Sequence, residues 1–78
     1  MCIAEGIYMT MAIKQHTENG YYVLMEWDKT NVYHVEVCPC YDENRCGYPI
    51  NEMYYTMEEK KKAEATFIRY VKKYCKGE

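Results

Sequence analysis

Three consecutive segments of the chain alternate apolar with polar side chains, and this period of two is typical of half-buried β-strands. In all three segments the apolar side chains fall on odd-numbered positions. The first segment, 7–17, carries Ile7, Met9, Met11 and Ile13, and the segments 21–28 and 32–38 carry Val23, Met25, Trp27, Tyr33, Val35 and Val37. We therefore predict an antiparallel β-meander with one apolar face.

The shared parity of these positions constrains the turns, because opposed residues of an antiparallel pair point to the same face. Opposed residue numbers should then sum to an even number, which excludes a two-residue Asn19-Gly20 turn and favours three-residue loops at 18–20 and 29–31. Gly20 and Asn31 should adopt left-handed conformations. The predicted opposed pairs are Met11 with Trp27, Ile13 with Met25, Trp27 with Tyr33, Met25 with Val35, and Val23 with Val37.

The second half of the chain predicts a long loop, a fourth strand and a helix. Pro39 and Pro49 bound a polar segment that should be a loop over 39–49, followed by a strand over 50–55 with Met53 and Tyr55 facing inward. Thr56 and Glu59 have the spacing of a capping box, which predicts a helix over 57–75. Its apolar stripe should comprise Ala63, Phe67, Tyr70, Val71 and Tyr74, widened by Ile68 and Cys75.

The resulting fold is a single α+β domain over 1–78, with a three- to four-stranded antiparallel meander and one C-terminal helix packed on one face of the sheet. A four-stranded sheet spans roughly 15–20 Å, whereas one helix with its side chains is about 10 Å wide. An apolar strip should therefore remain uncovered, with Met9, Met11 and Trp27 as candidates. Burial of this strip against a second copy predicts a homodimer.

Residue inventory limits the possible chemistry. The chain has no Ser and four scattered Gly, which excludes a serine nucleophile and a glycine-rich phosphate loop. The predicted register places Glu26 opposite His34, and His16 opposite Tyr22. An imidazole beside a carboxylate can serve an enzyme, but Cys38, the nearest candidate nucleophile, would lie roughly 13 Å from His34 along the strand. We interpret the pair as an ion pair on a solvated face and expect no enzyme activity.

The spacing of the cysteines allows two functions besides that of reduced thiols packed in the structure. Cys38, Cys40 and Cys46 lie within nine positions and could bind zinc or respond to redox conditions, with a fourth metal ligand from elsewhere in the chain. A Cys40–Cys46 disulfide could form in an oxidising compartment. Five is an odd number of cysteines, and residues 1–6 lack the features of a signal peptide. Reduced thiols, no bound cofactor and a cytoplasmic location are therefore the first expectation, with no membrane span.

Charge is unevenly distributed along the chain. Residues 1–55 carry three basic and eight acidic side chains, a balance of −5, and residues 56–78 carry seven basic and four acidic ones, a balance of +3. Basic and aromatic residues alternate over 69–74, as in some nucleic-acid-binding segments. However, Tyr70 and Tyr74 belong to the predicted buried stripe, so nucleic-acid binding is not expected.

The high tyrosine content is the sequence feature that says most about function. The chain has ten Tyr but only one Phe and one Leu. Tyrosine combines a large contact area with a polar tip and is enriched at interfaces. It could also simply replace Phe and Leu in the core. We predict a non-enzymatic adaptor or inhibitor that binds a protein partner through a tyrosine-rich sheet face and the 39–49 loop. The predicted partner-binding residues are Tyr8, Tyr22, Tyr41, Tyr48 and Tyr54.

Overall fold

A computed structural model describes residues 11–28, 31–42 and 45–78. Over these ranges the chain forms β1 (Met11–Glu18), β2 (Tyr21–Asp28), β3 (Val32–Asp42), β4 (Arg45–Cys46) and β5 (Asn51–Thr56). A continuous helical segment follows, as a 3-10 turn (Met57–Glu59), an α-helix α1 (Lys60–Tyr70) and a π-helical turn (Val71–Cys75). The sheet is antiparallel, with β1, β2 and β3 in sequence order and both β4 and β5 paired with β3. The predicted α+β fold is confirmed.

The core lies between one face of the sheet and α1. Side chains of β2 and β3 on this face are buried, as are four from the helical segment: Val23, Met25, Tyr33, Val35, Val37, Ala63, Phe67, Tyr70 and Cys75. Tyr55, Val71 and Tyr74 pack around this cluster. No helix within the described ranges combines the length and the apolar character that a membrane span needs.

The helical segment has the predicted bounds, and most of the predicted apolar stripe packs on the sheet. The Glu59 carboxylate accepts a hydrogen bond from the backbone N–H of Thr56 at 3.0 Å, which stabilises the first turn. Ile68 was predicted to widen the stripe, and this is wrong, because Ile68 is 49% exposed. Thr66 is buried instead, and its hydroxyl shares a hydrogen bond with the Tyr55 hydroxyl. This bond satisfies a polar group that would otherwise be costly to bury.

The hairpin of β2 and β3 has the predicted register. Trp27 lies opposite Tyr33, Met25 opposite Val35, Val23 opposite Val37, and Glu26 opposite His34. Asn31 has a φ of 66°, the left-handed conformation expected at the end of this turn. Here the alternation of apolar side chains was sufficient to predict the register, because the two strands pair without interruption.

The hairpin of β1 and β2 differs from the prediction. Glu18 lies opposite Tyr21, so the turn has two residues, Asn19 and Gly20, with φ of 54° and 83°. Both angles suit a type I′ turn. The register shifts by one residue between Ala12 and Lys14, a β-bulge at Ile13. The parity argument assumed an unbroken ladder, and one extra residue reverses parity on one side of the bulge.

Beyond the bulge, polar side chains take the positions predicted for apolar ones. Lys14, rather than Ile13, lies opposite Met25, and His16 lies opposite Val23 rather than Tyr22, whereas the predicted Met11–Trp27 pair is present. The uncovered apolar strip was predicted at Met9, Met11 and Trp27 and not over 14–18, so these polar pairs leave it a prediction. Met9 and the segment 7–10 of the predicted first strand lie outside the described residues. Trp27 is half-buried and its indole N–H donates to the Met57 sulfur at 2.9 Å.

Polar contacts join this hairpin to the end of the helical segment. The Asn19 side-chain amide donates to the carbonyl of Cys75, and the Cys75 thiol lies 3.7 Å from the Tyr21 carbonyl. The Glu18 carboxylate pairs with Lys76 Nζ at 3.1 Å and with His16 Nε2 at 2.7 Å. The polar side of β1 therefore anchors the helix terminus.

The 39–49 segment contains more regular structure than a loop. β3 was predicted to end at residue 38, but it continues through Pro39 to Asp42 and pairs with β4. Pro39 is tolerated because β2 begins opposite it at Tyr21, so little ladder is lost. The predicted fourth strand is confirmed as β5, and Met53 and Tyr55 lie opposite Val35 and Tyr33 on the core side. Met53 remains 42% exposed.

Candidate functional site

The surface of the sheet opposite α1, here called the outer face, carries most of the polar and aromatic side chains that could act on a partner. Three rows cross the strands. Glu26, His34 and Tyr54 form the first row, Leu24, Glu36 and Glu52 the second, and Tyr22 with Cys38 the third. The rows exist because even-numbered positions of β2, β3 and β5 share this face.

His34 is surrounded by carboxylates from three strands. Its Nδ1 lies 2.9 Å from Glu26 Oε2, and its Nε2 lies 2.7 Å from Glu52 Oε1 and 3.8 Å from Glu36 Oε1. The Tyr54 ring stacks on the imidazole, with centroids 4.4 Å apart and an interplanar angle of 13°. His34 is consequently only 8% exposed. The prediction of a solvated ion pair is therefore wrong in one respect, because the imidazole is buried.

The electrostatics of this cluster indicate an excess of negative charge. Burial lowers the pKa of His34, but hydrogen bonds with Glu26 and Glu52 and the charge of Glu36 outweigh it, so the pKa is raised. Burial raises the pKa of Glu36, and the charges of Glu26 and Glu52 add to this against the opposing effect of His34. With His34 protonated, one positive charge faces three carboxyl groups. The surface should attract cations.

A groove of about 580 Å³ adjoins the cluster at the third row and is lined by Tyr22, Glu36, Cys38, Cys46, Gly47, Tyr48 and Pro49. Burial raises the pKa of Cys38 to about 11, and the charge of Glu36 adds to the effect. Cys38 is therefore a neutral thiol near pH 7. A protonated thiol is a poor nucleophile and must lose its proton to bind a metal.

The structure brings some of the predicted partner-binding tyrosines together and separates others. Tyr22 and Tyr48 line the same groove, and Tyr48 is 92% exposed. Tyr41 is 68% exposed and occupies the register shift between Cys40 and Asp42. Tyr54 is 60% exposed and lies beside the carboxylates on β5. Tyr8 lies outside the described residues.

Gly47 allows the Tyr41 side chain to approach the wall of the groove. A Cβ atom at position 47 would lie 3.0 Å from the Tyr41 hydroxyl oxygen and 2.9 Å from Pro39 Cγ. Both distances are shorter than ordinary van der Waals contact. A side chain at position 47 would displace Pro39 or Tyr41, and glycine permits the observed packing, which places Tyr41 next to the groove that Tyr22 and Tyr48 line.

The three sulfur atoms of the predicted metal set do not all lie within 4.8 Å of one another, although Cys38 and Cys46 line the same groove. Cys40 lies opposite Cys46 and their sulfur atoms are 2.6 Å apart. Among the described residues, the group of three metal-ligating side chains whose ligand atoms all lie within 4.8 Å of one another is His34, Glu36 and Glu52, which contains no cysteine. Sequence reasoning identified His34 and its partner Glu26 but not Glu52, whose place depends on the register of β5.

Comparison with known proteins provides no relative for this chain: no family model, curated protein or solved structure gives a significant match. A function for this chain must therefore be inferred from the outer face itself.

Proposed function

We propose that this protein is a small non-enzymatic interaction module, of adaptor or inhibitor type, that binds a basic segment of a protein partner. The binding surface is the outer face together with the β3–β4 hairpin. One observation carries the proposal: exposed or half-buried tyrosines lie beside a cluster of carboxylates on a single face. The residues concerned are Tyr22, Tyr48, Tyr54, Glu26, Glu36 and Glu52.

The chemistry of this surface suits Lys and Arg side chains. Carboxylates pair with guanidinium or ammonium groups, and aromatic rings attract the same cations through their faces. Glu52 is well placed for such a contact, because its side chain is 45% exposed while it also contacts His34. Tyr48 buries almost none of its surface within the chain, so a partner could gain its whole contact area.

Two features favour binding over catalysis at this surface. Both ring nitrogens of His34 are engaged by carboxylates, which leaves neither nitrogen available to accept a proton from a substrate. The thiol of Cys38, two rows from His34 on the same face, has a pKa of about 11, far from the range of an activated nucleophile. These facts support the proposal of a non-catalytic surface.

The proposal predicts charge-selective peptide binding. A fluorescein-labelled peptide of alternating Arg and Ala should bind the protein, whereas a Glu and Ala peptide should not, as measured by fluorescence anisotropy. Tyr48→Ala and Glu52→Gln should each weaken binding by roughly tenfold, because each removes one contact for a cation. Ile68→Ala is the control, since Ile68 is exposed on the helix and remote from the outer face. Equal binding of both peptides would refute the proposal.

We propose further that the protein forms a homodimer by pairing the edge of β5 with the same edge of a second copy. β5 pairs with β3 along one side, and no other described strand pairs with it. Four apolar or aromatic side chains in or beside β5 are exposed by 42–60%: Ile50, Met53, Tyr54 and Met57. An edge strand of this kind is a template for pairing with another chain. A two-fold axis would make the contact self-complementary.

Light scattering on the protein at a concentration of roughly tens of micromolar should give a mass of twice 9.4 kDa. Chains with an interface of modest size associate in this concentration range. Met53→Lys should reduce the mass to that of one chain, because a charge at this edge opposes pairing. Ile13→Lys is the matched control, since Ile13 is 41% exposed, close to the 42% of Met53, but lies on the opposite edge strand. A wild-type mass of 9.4 kDa would contradict the dimer.

A further inference from the structure

The β3–β4 hairpin places two cysteines in the arrangement that a cross-strand disulfide requires. Cys40 and Cys46 are directly opposed, and on the adjacent pair the N–H of Gly47 donates to the carbonyl of Pro39 at 2.8 Å. Hydrogen-bonded and non-hydrogen-bonded pairs alternate along an antiparallel ladder, so Cys40 and Cys46 form a non-hydrogen-bonded pair. Consistently, the N–H of Cys40 donates to the Gly20 carbonyl instead. Such pairs have Cα atoms about 4.5 Å apart, within the range that a disulfide spans.

The surroundings of the two sulfur atoms also favour reaction at this pair over reaction at Cys38 and Cys75, the other two cysteines that the structure describes. The Cys40 and Cys46 sulfur atoms are already in contact, and Cys46 is exposed to reagents. Cys38 and Cys75 are 6% and 0% exposed. Burial raises the pKa of both thiols, which keeps them protonated and unreactive.

We propose that Cys40 and Cys46 are a thiol modification site, at which a small-molecule disulfide such as oxidised glutathione converts the pair into an intramolecular disulfide. The Cys46 thiolate attacks one sulfur atom of the oxidant, forms a mixed disulfide and releases one glutathione thiolate. The Cys40 thiolate then attacks the Cys46 sulfur and releases the second glutathione. Two protein thiols lose two protons and two electrons, and one small-molecule disulfide becomes two thiols.

The bond would act on the groove of the outer face, and this part of the inference rests on the proposed function. Tyr41 lies inside the loop that the bond closes, and Gly47 and Tyr48 follow Cys46 directly. A covalent link between the two strands would hold the Tyr41 ring against Gly47 and fix the groove wall that carries Tyr48. A surface that is ordered before binding loses less entropy on binding.

The modification is tested by mass spectrometry after incubation with oxidised glutathione and alkylation under denaturing conditions. The expected product is a chain not cross-linked to a second chain and lighter by two hydrogen atoms before alkylation, with Cys40 and Cys46 protected and Cys2, Cys38 and Cys75 alkylated. The thermal midpoint should rise by roughly 10 °C, because a short loop is closed in the unfolded chain. Cys46→Ser should abolish both effects, and Cys38→Ser should leave them unchanged. Protection of Cys38, or linkage between chains, would overturn the proposal.

Regulation is tested with the Arg and Ala peptide described above. The oxidised protein should bind this peptide roughly tenfold more tightly than the reduced protein, and reduction with dithiothreitol should reverse the gain. Equal affinity in both states would refute the regulatory part. If neither state binds the peptide while the mass experiment succeeds, the proposed binding function is wrong and the modification site stands on its own.

Discussion

Replacement of Phe67 by Ala should destabilise the fold by about 3–5 kcal/mol, the range measured for deletion of a buried aromatic ring. Phe67 is 9% exposed and belongs to the one cluster in which the helix packs on Val35 and its neighbours. A chain of 78 residues has a free energy of unfolding of roughly 4–12 kcal/mol. The variant should therefore lose from about a quarter to all of its stability and unfold at a clearly lower denaturant concentration than the wild type. Chemical denaturation followed by circular dichroism measures the loss.

Ile68 provides the matched control for this experiment, because it is the next residue on the same helix and is also large and apolar. Ile68 is 49% exposed, so Ile68→Ala should reduce the free energy of unfolding by less than about 1 kcal/mol. Comparable losses in the two variants would mean that the helix packs on the sheet through a different side.

The second large effect is a dependence of the free energy of unfolding on pH, which we expect His34 to cause. The pKa of His34 in the folded protein is raised above 6.5, so its ion pairs stabilise the fold fully below about pH 6.5 and lose this effect as pH rises through the folded-state pKa. The raised pKa of Glu36 acts in the same direction, because its neutral form is favoured in the fold. The pKa values of Glu18 and Glu59 are lowered, so these two groups change the stability of the fold only at acidic pH. Stability should therefore fall from mildly acidic to mildly alkaline pH.

His34→Gln should reduce the free energy of unfolding by roughly 2 kcal/mol near pH 6, since three carboxyl groups would lose their shared cation in a half-buried site. The decline of stability as pH rises through the folded-state pKa of His34 should largely disappear in this variant. Denaturation curves at a series of pH values measure both effects.

His16→Gln is the control for the His34 variant. His16 also contacts a carboxylate, Glu18, at 2.7 Å, but the two side chains are 35% and 39% exposed. Because water screens such an exposed pair, His16→Gln should lower the free energy of unfolding far less than His34→Gln does. If His16→Gln and His34→Gln had the same effect, burial of the outer-face cluster would not be the cause of the pH dependence.

Much of the fold could be predicted because its signals are local. The period-two pattern gave the register of β2 and β3, and the spacing of Ala63, Phe67 and Tyr70 gave the buried side of the helix. The first hairpin could not be predicted in the same way. The Asn19-Gly20 dipeptide is a strong local signal for the observed two-residue turn, but the parity of the apolar positions excluded it. A bulge at Ile13 restores the parity, and the apolar pattern alone does not reveal a bulge.

The candidate site was predictable only in part, because it is assembled by strand pairing rather than by sequence proximity. Glu26 and His34 face each other across a short turn and were identified. Glu52 joins them through the pairing of β5 with β3, 18 residues from His34, and the weak alternation of β5 left that register open. The burial of His34 follows from the same pairing, since it brings the Tyr54 ring onto the imidazole.

The amide of Asn19 reaches the carbonyl of Cys75, a residue 56 positions later in the chain. The earliest described turn is thus completed by the final helical turn, and Lys76 reinforces the link through Glu18. Contacts so distant in sequence form slowly, because a large loop must close before they contribute any stability. During synthesis on the ribosome, Asn19 and Glu18 can therefore contact Cys75 and Lys76 only after the C-terminal turn has emerged, whereas the His16–Glu18 contact forms within the hairpin.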